Sequence, residues 1–163
     1  MDSSEIIYLA LRHERISPCV AVPCRKLNTL LMRIQQDPER RLIYPAREEE
    51  GLGICVGAYL AGCFPVMLLQ NSGLGNLVGA YCSLNQFFDI PLLLLVSQRG
   101  TASEPVAAQR PMGAITTDLL DLLHIEHHTP DRPQQAEQVI DVIGAYKRAR
   151  RSCALLLSPE FWS

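Results

Sequence analysis

Three stretches of this chain, Pro65-Val66-Met67-Leu68-Leu69-Gln70, Pro91-Leu92-Leu93-Leu94-Leu95-Val96 and Cys153-Ala154-Leu155-Leu156-Leu157, are almost continuously apolar and only five or six residues long. Runs of that length without polar alternation are the pattern of strands buried on both faces. Such strands belong to a parallel sheet sandwiched between helices, because only helical crossovers cover both faces. Three weaker strand patterns, Pro18–Val22, Arg41–Pro45 and Ile125–Thr129, bring the expected sheet to about six parallel strands.

Helical patterns alternate with these strands along the whole chain. Ser3 or Ser4 can cap a helix through about His13, and Arg25 to Gln36 places Leu27, Leu30, Leu31 and Ile34 on one face. A glycine-rich helix follows Glu50, and Asn71-Ser72-Gly73-Leu74-Gly75-Asn76 turns into another helix reaching about Phe88. A polar loop is expected over Ser97–Met112, then helices near Ile115–Leu123 and over Gln134–Arg150, the last with its basic residues at the C-terminal end, where the helix dipole favours them. The expected architecture is one α/β domain spanning 1–163, a three-layer doubly wound sheet with helices on both faces. Ligands of such sheets bind at the carboxyl ends of the strands. The loops Pro23–Lys26, Arg47–Glu50, Asn71–Asn76 and Ser97–Met112 all lie at that edge.

With 163 residues and a formal charge of −2, the chain shows no basic face or stripe of the kind nucleic acid requires. The polar, acidic start Met1-Asp2-Ser3-Ser4-Glu5 is unlike a signal peptide, so a cytoplasmic location is expected. No charged residue occurs from Gly51 to Phe88, yet Gly62-Cys63-Phe64-Pro65 and Gln70-Asn71-Ser72-Gly73 break that run into pieces too short for a bilayer. The cysteines Cys19, Cys24, Cys55, Cys63, Cys82 and Cys153 have neither C-x-x-C nor metal-ligand spacing, which suits reduced thiols that mostly pack as small apolar groups.

The chemistry is expected at Arg47-Glu48-Glu49-Glu50, where three carboxylates meet the mouth of the long uncharged segment. Charges in the first turn of a helix commonly face solvent and complement its dipole. A carboxylate shielded there from water can instead have its proton affinity tuned for catalysis. Gly53, Gly57 and Ala61 share one helix face. Each interior glycine costs about 1 kcal/mol relative to alanine, so close packing must compensate, either on the chain's own sheet or against a partner subunit. Gly73-x-Gly75 lies between strand and helix, but its spacing to Gly79 departs from a dinucleotide fingerprint. His124, Glu126, His127 and His128 fall on a strand and its ends, with neighbours pointing to opposite faces, which suits ordinary histidines better than a metal site.

Taken together, Arg47-Glu48-Glu49-Glu50-Gly51-x-Gly53 through Gly57-Ala58-Tyr59-Leu60-Ala61, Asn71-Ser72-Gly73-Leu74-Gly75-Asn76 and Ile90–Ser97 resemble the pyrimidine-binding domain of thiamine-diphosphate-dependent decarboxylases. Val22-Pro23-Cys24 followed by a basic residue, Gln98-Arg99-Gly100 and Arg110-Pro111-Met112-Gly113 are similar to the branch that decarboxylates 3-sulfopyruvate, with phosphonopyruvate decarboxylases as near relatives. The resemblance implies a carboxy-lyase subunit forming sulfoacetaldehyde and CO2 in coenzyme M biosynthesis. The alternatives are a phosphonopyruvate decarboxylase subunit and a non-catalytic Rossmann-like binding or regulatory module. The family's activating glutamate stands ten residues before the tyrosine, which implies that Glu49 hydrogen-bonds N1′ of the cofactor's aminopyrimidine. It further implies that Asn71, Ser72, Gly73, Leu74, Gly75 and Asn76 border the thiamine diphosphate. The family's Gly-Asp-Gly and Asn-Asn signatures for the diphosphate and Mg²⁺ do not occur in the sequence. A separate beta subunit is therefore implied to hold them, in a hetero-oligomer with self-association that is inactive without that partner. For the substrate's anion the basic residues of the strand-exit loops are the candidates: Arg110 first, then Arg25, with Lys26 and Arg99.

Overall fold

A computed structural model describes residues 2–130, 132 and 135–162. Its centre is a six-stranded, wholly parallel sheet of order β2-β1-β3-β4-β6-β5. The strands are β1 (Cys19–Ala21), β2 (Leu42–Ile43), β3 (Val66–Gln70), β4 (Leu93–Ser97), β5 (Glu126–His128) and β6 (Cys153–Leu157). The three apolar runs form the middle of the sheet, where β4 and β6 are buried at every residue and β3 at all but Gln70. The register aligns Gln70 with Ser97 and Ser97 with Leu157, so the exits of β3, β4 and β6 end level with one another.

Six helices cover the two faces: α1 (Ser3–His13), α2 (Asn28–Gln36), α3 (Glu48–Leu60), α4 (Ser72–Ala80), α5 (Arg110–Leu122) and α6 (Ala136–Ala149). The period-two geometry of the strands divides the core into two clusters. Leu68, Leu95 and Leu155 face α1, α2 and α6 through Ile7, Leu30, Ile34 and Ile143. Met67, Leu69, Leu94 and Leu156 face α3, α4 and α5 through Leu52, Leu74, Leu77 and Leu120. This is the expected three-layer α/β domain. No helix among the described residues is long and apolar enough to cross a membrane.

Several local expectations are corrected. Helix α1 is capped by Asp2, whose Oδ1 accepts from the Glu5 N–H at 2.8 Å, whereas Ser3 Oγ donates to the Phe161 carbonyl at 2.6 Å. A carboxylate at the N-cap thus does the work assigned to the serines. The stretch from Arg25 starts as a 3₁₀ turn (Arg25–Leu27) before α2. Asn71–Asn76 is scarcely a loop, because α4 begins at Ser72 and continues through a π-helical segment, Tyr81–Gln86. The polar loop after β4 ends early as well: a 3₁₀ turn (Ala107–Gln109) leads into α5 at Arg110. Pro111 there opens a helix, its fixed φ suiting the first turn, and does not mark a loop. The expected start of the last helix at Gln134 lies outside the described residues. Cys19, Cys55 and Cys153 are buried, and burial pushes each thiol up to about 12, but Cys63 and Cys82 are exposed.

Candidate active site

The chain leaves β1 for β2 on one side and later crosses to β3 on the other, which makes β1/β3 the switch point of the sheet. A crevice outside the carboxyl ends of two such strands is where doubly wound sheets bind ligands. Side chains from four segments meet there. The Cys24 thiol, after β1, lies 3.7 Å from Gln70 Oε1 and 3.5 Å from Ser97 Oγ. Gln70 Nε2 donates to Ser72 Oγ at 2.7 Å and to Gln109 Oε1 at 3.1 Å.

The acidic triplet borders this edge, and its three members differ. Glu50 turns back so that its Oε2 accepts from the Ala46 N–H at 2.7 Å, just before the N-terminus of α3. Glu48 is half-buried and accepts from Asn76 Nδ2 at 2.9 Å. Its carboxyl group lies over Gly73, where a β-carbon would run into Glu48 Oε1. A larger residue at position 73 would push that carboxylate away from the first turn of α4. Glu49 is exposed and has no hydrogen bond or ion pair among the described residues.

Of the other residues expected beside the cofactor, Ser72, Gly75 and Asn76 are exposed, while Asn71 and Leu74 are fully buried. Leu74 belongs to the core. Asn71 is a clamp: its Nδ2 donates to the Arg99 carbonyl (3.0 Å) and Thr116 Oγ1 (2.9 Å), and its Oδ1 accepts from the Arg99 N–H (3.1 Å). One side chain thereby joins the exit of β3, the loop after β4 and α5. Asn71→Ala removes partners from the Arg99 N–H and carbonyl on the loop after β4 and from Thr116 Oγ1 on α5, and is expected to cost about 2–4 kcal/mol, read as a lower midpoint in denaturant melts of the assembled protein.

Arg99, a candidate for anion binding, is committed elsewhere. Its Nε and Nη2 donate to Glu104 Oε2 (2.7 Å) and Oε1 (2.8 Å), a bidentate pair, and Glu104 also accepts from the Gly100 and Val106 N–H groups. Glu104 is 2% exposed. The Arg99 hydrogen bond, then those backbone donors, hold its carboxyl down at about 2 from an ordinary 4.5. A carboxylate depressed in the folded state stabilises the fold above its ordinary pKa and loses that contribution as pH falls. The loop after β4 is therefore expected to loosen between about pH 4.5 and 2, seen as faster amide exchange over 98–106. A Glu104→Gln variant is expected to show the loosening already at neutral pH. Arg110, Arg25 and Lys26 remain exposed, Arg110 making one long contact of 3.4 Å to the Glu104 carbonyl.

Packing also bears on the face of α3 and on the histidines. A β-carbon placed at Gly53 or Gly57 meets nothing within 4 Å, so this face of α3 does not pack on the chain's own sheet. The histidines are dispersed: His127 pairs with Asp121 (3.1 Å), His128 with Glu126 (3.2 Å), and His124 ends α5 with φ 53. Among the described residues no group of three or more His, Cys, Asp or Glu side chains is placed to hold a metal ion.

No family model matches the chain. It is 39% identical over 163 residues to sulfopyruvate decarboxylase subunit alpha of Methanothermobacter thermautotrophicus, covering 99% of each chain. The chain belongs to the sulfopyruvate decarboxylase alpha-subunit family. A sulfopyruvate decarboxylase from Methanosarcina acetivorans is 34% identical over 164 residues, covering 99% of this chain and 41% of its own. A phosphonopyruvate decarboxylase from Streptomyces viridochromogenes is 36% identical over 112 residues, covering 68% of this chain and 28% of the relative. The crystal structure of benzoylformate decarboxylase from Polynucleobacter necessarius superposes with a TM-score of 0.72 at 19% identity, over 99% of this chain and 30% of that one, which shows the shared fold. As an alpha subunit of the sulfopyruvate decarboxylase family the chain is a decarboxylase component, as the sequence led us to expect. Sequence reasoning missed the Cys24–Gln70–Gln109 cluster, whose members lie far apart in the chain and carry no shared motif.

Proposed function

We propose that this chain is the alpha subunit of a thiamine-diphosphate-dependent carboxy-lyase converting 3-sulfopyruvate to sulfoacetaldehyde and CO2, the step of coenzyme M biosynthesis. Residues 1–163 form its pyrimidine-binding domain. The observation that carries the reading is full-length similarity to sulfopyruvate decarboxylase alpha subunits, in a chain whose acidic triplet lies beside the switch-point crevice. The residues suit half of a cofactor site. A carboxylate without an internal partner, Glu49, beside a second one, Glu48, packed on Gly73 at the start of α4, suits an aminopyrimidine ring. The metal-bound diphosphate needs a cluster of oxygen ligands, and among the described residues no group of three or more His, Cys, Asp or Glu side chains is placed to supply one.

When bound, thiamine diphosphate supplies the electron sink that lets a 2-oxo acid lose CO2. The chain's part is to hold a proton at N1′ of the aminopyrimidine through a carboxyl group and to keep water from that hydrogen bond. The count back from Tyr59 gives this role to Glu49, whose exposed carboxylate is free to meet a group bound across a subunit boundary. A second reading has its own support: Glu48 is the half-buried member and lies directly against Gly73 and Asn76. Separate Gln substitutions distinguish the two.

The proposed beta subunit supplies the diphosphate and Mg²⁺ ligands. The Methanosarcina relative supports this reading, because more than half of its length lies beyond the region this chain matches. The outward face of α3, with Gly53, Gly57 and Ala61, suits a close-packed partner helix, and the assembly is a cytoplasmic hetero-oligomer with self-association. CO2 release by the two chains together, with cofactor, Mg²⁺ and 3-sulfopyruvate, tests the proposal.

A further inference from the structure

The cations expected to hold the substrate's anion do not gather in the crevice. Arg99 is neutralised by Glu104, and Arg25, Lys26 and Arg110 stand exposed around the rim. Arg99 also lies against the Cys24 thiol, its charge matched by Glu104, and the other side chains that meet at the switch point are uncharged: Cys24, Gln70, Ser72, Ser97 and Gln109. Their hydrogen bonds have a direction. The Cys24 thiol has one proton to give to either Gln70 Oε1 (3.7 Å) or Ser97 Oγ (3.5 Å), and with Oε1 turned to Cys24 the Nε2 is the donor side of the Gln70 amide. Gln70 Nε2 in turn donates to Gln109 Oε1 and Ser72 Oγ. Gln109 is therefore held by its oxygen, and its amide NH2 has no partner among the described residues. Ser72 likewise accepts from Gln70 and keeps its own O–H free at the start of α4.

The backbone fixes Gln109 as firmly. Gly100, at φ +77, faces Gly113: a β-carbon on Gly100 would run into the Gln109 carbonyl and the Gly113 Cα. The turn carrying Gln109 is thus pinned to the loop that follows β4. A half-buried amide held in place at both its backbone and its oxygen is a pre-organised donor.

Resting on the decarboxylase reading above, we propose that Gln109, oriented by Gln70 and assisted by the Ser72 hydroxyl, holds the sulfonate of the 2-oxo acid and sets its preference over a phosphonate. A sulfonate is a monoanion at every physiological pH and offers three acceptor oxygens to N–H and O–H donors. A phosphonate is largely dianionic near neutrality. Removing a second charge from water is costly unless a cation replaces the lost hydration, and neutral amide and hydroxyl donors provide none. A crevice whose one nearby cation is already paired with Glu104 therefore selects for the single charge. Gln70 is a positioning residue in this account, and Gln109 touches the substrate.

The test uses the complex of this chain with its partner, thiamine diphosphate and Mg²⁺, and measures kcat and KM for 3-sulfopyruvate and phosphonopyruvate. Gln109→Glu sets a negative charge against the sulfonate and is expected to raise its KM about tenfold or more, with kcat changed only a few-fold. Gln109→Lys supplies the missing cation and is expected to move the kcat/KM ratio about tenfold towards the phosphonate. Gln70→Leu, which frees the Gln109 amide to rotate, is expected to raise KM for the sulfonate and leave the melting temperature of the complex nearly unchanged. Gln109→Asn, which keeps the amide on a shorter stem, covers the case in which a charged variant fails to assemble; a several-fold rise in KM is expected. A complex that prefers 3-sulfopyruvate, but whose KM and substrate ratio are unmoved in these variants, overturns the assignment and leaves the decarboxylase reading standing. A wild-type complex that holds its cofactor and decarboxylates neither acid overturns both.

Discussion

Glu49→Gln is expected to lower kcat of the assembled enzyme by about 10²–10⁴-fold, the usual worth of a positioned general acid–base, while the subunit folds and assembles normally. The amide matches the carboxyl group in size but cannot carry the proton shared with N1′. Because Glu49 is exposed and makes no internal hydrogen bond among the described residues, its replacement removes no fold contact. Glu48→Gln should be measured beside it. Loss of turnover confined to Glu49→Gln supports the assignment made by counting from Tyr59. Loss confined to Glu48→Gln moves the role one residue, to the carboxylate packed against Gly73. Full turnover in both variants contradicts an activating carboxylate in this triplet. Glu50→Gln is the internal control, since its carboxylate accepts from the Ala46 N–H just before α3.

How much of this was legible in the sequence follows from which physical signals are local. The middle strands were visible because β3, β4 and β6 are buried on both faces, and such strands show as uninterrupted apolar runs. The face of α2 was visible because Leu27, Leu30, Leu31 and Ile34 recur at helical spacing, and all four are buried. Helix beginnings were less legible. Asp2 outcompeted two serines as a cap, and Pro111, taken as part of a loop, sits in the first turn of α5. The site was legible as an edge, since every candidate loop follows a strand, but its pairings were not. Arg99 looked like a free cation until Glu104 was found closed onto it, five residues along a loop that no local pattern describes. Asn71 looked like a ligand-facing residue, and its three hydrogen bonds run to Arg99 and to Thr116, 45 residues away. Gln70 and Gln109 are 39 residues apart, and only the closed sheet brings them together.

The second large effect is expected from separating the subunits. Purified alone, this chain should release no measurable CO2 from any 2-oxo acid, and it should bind thiamine diphosphate weakly even with excess Mg²⁺. Its residues offer a carboxylate to the pyrimidine, but among the described residues no group of three or more His, Cys, Asp or Glu side chains for the metal and its phosphates. Titrating in the partner should restore turnover along a saturable curve, and cofactor affinity should rise with it, because the two binding events are linked. Isothermal titration of the cofactor into each chain and into the mixture provides the check. Tight cofactor binding by this chain alone would contradict a site divided between two subunits.

The most direct test of the central claim is CO2 release by this chain copurified with its partner, with thiamine diphosphate and Mg²⁺ present and 3-sulfopyruvate, phosphonopyruvate and pyruvate compared in parallel. The account predicts turnover that requires both chains and the cofactor and is highest with 3-sulfopyruvate. A complex shown to contain the cofactor that decarboxylates none of the three acids would contradict it.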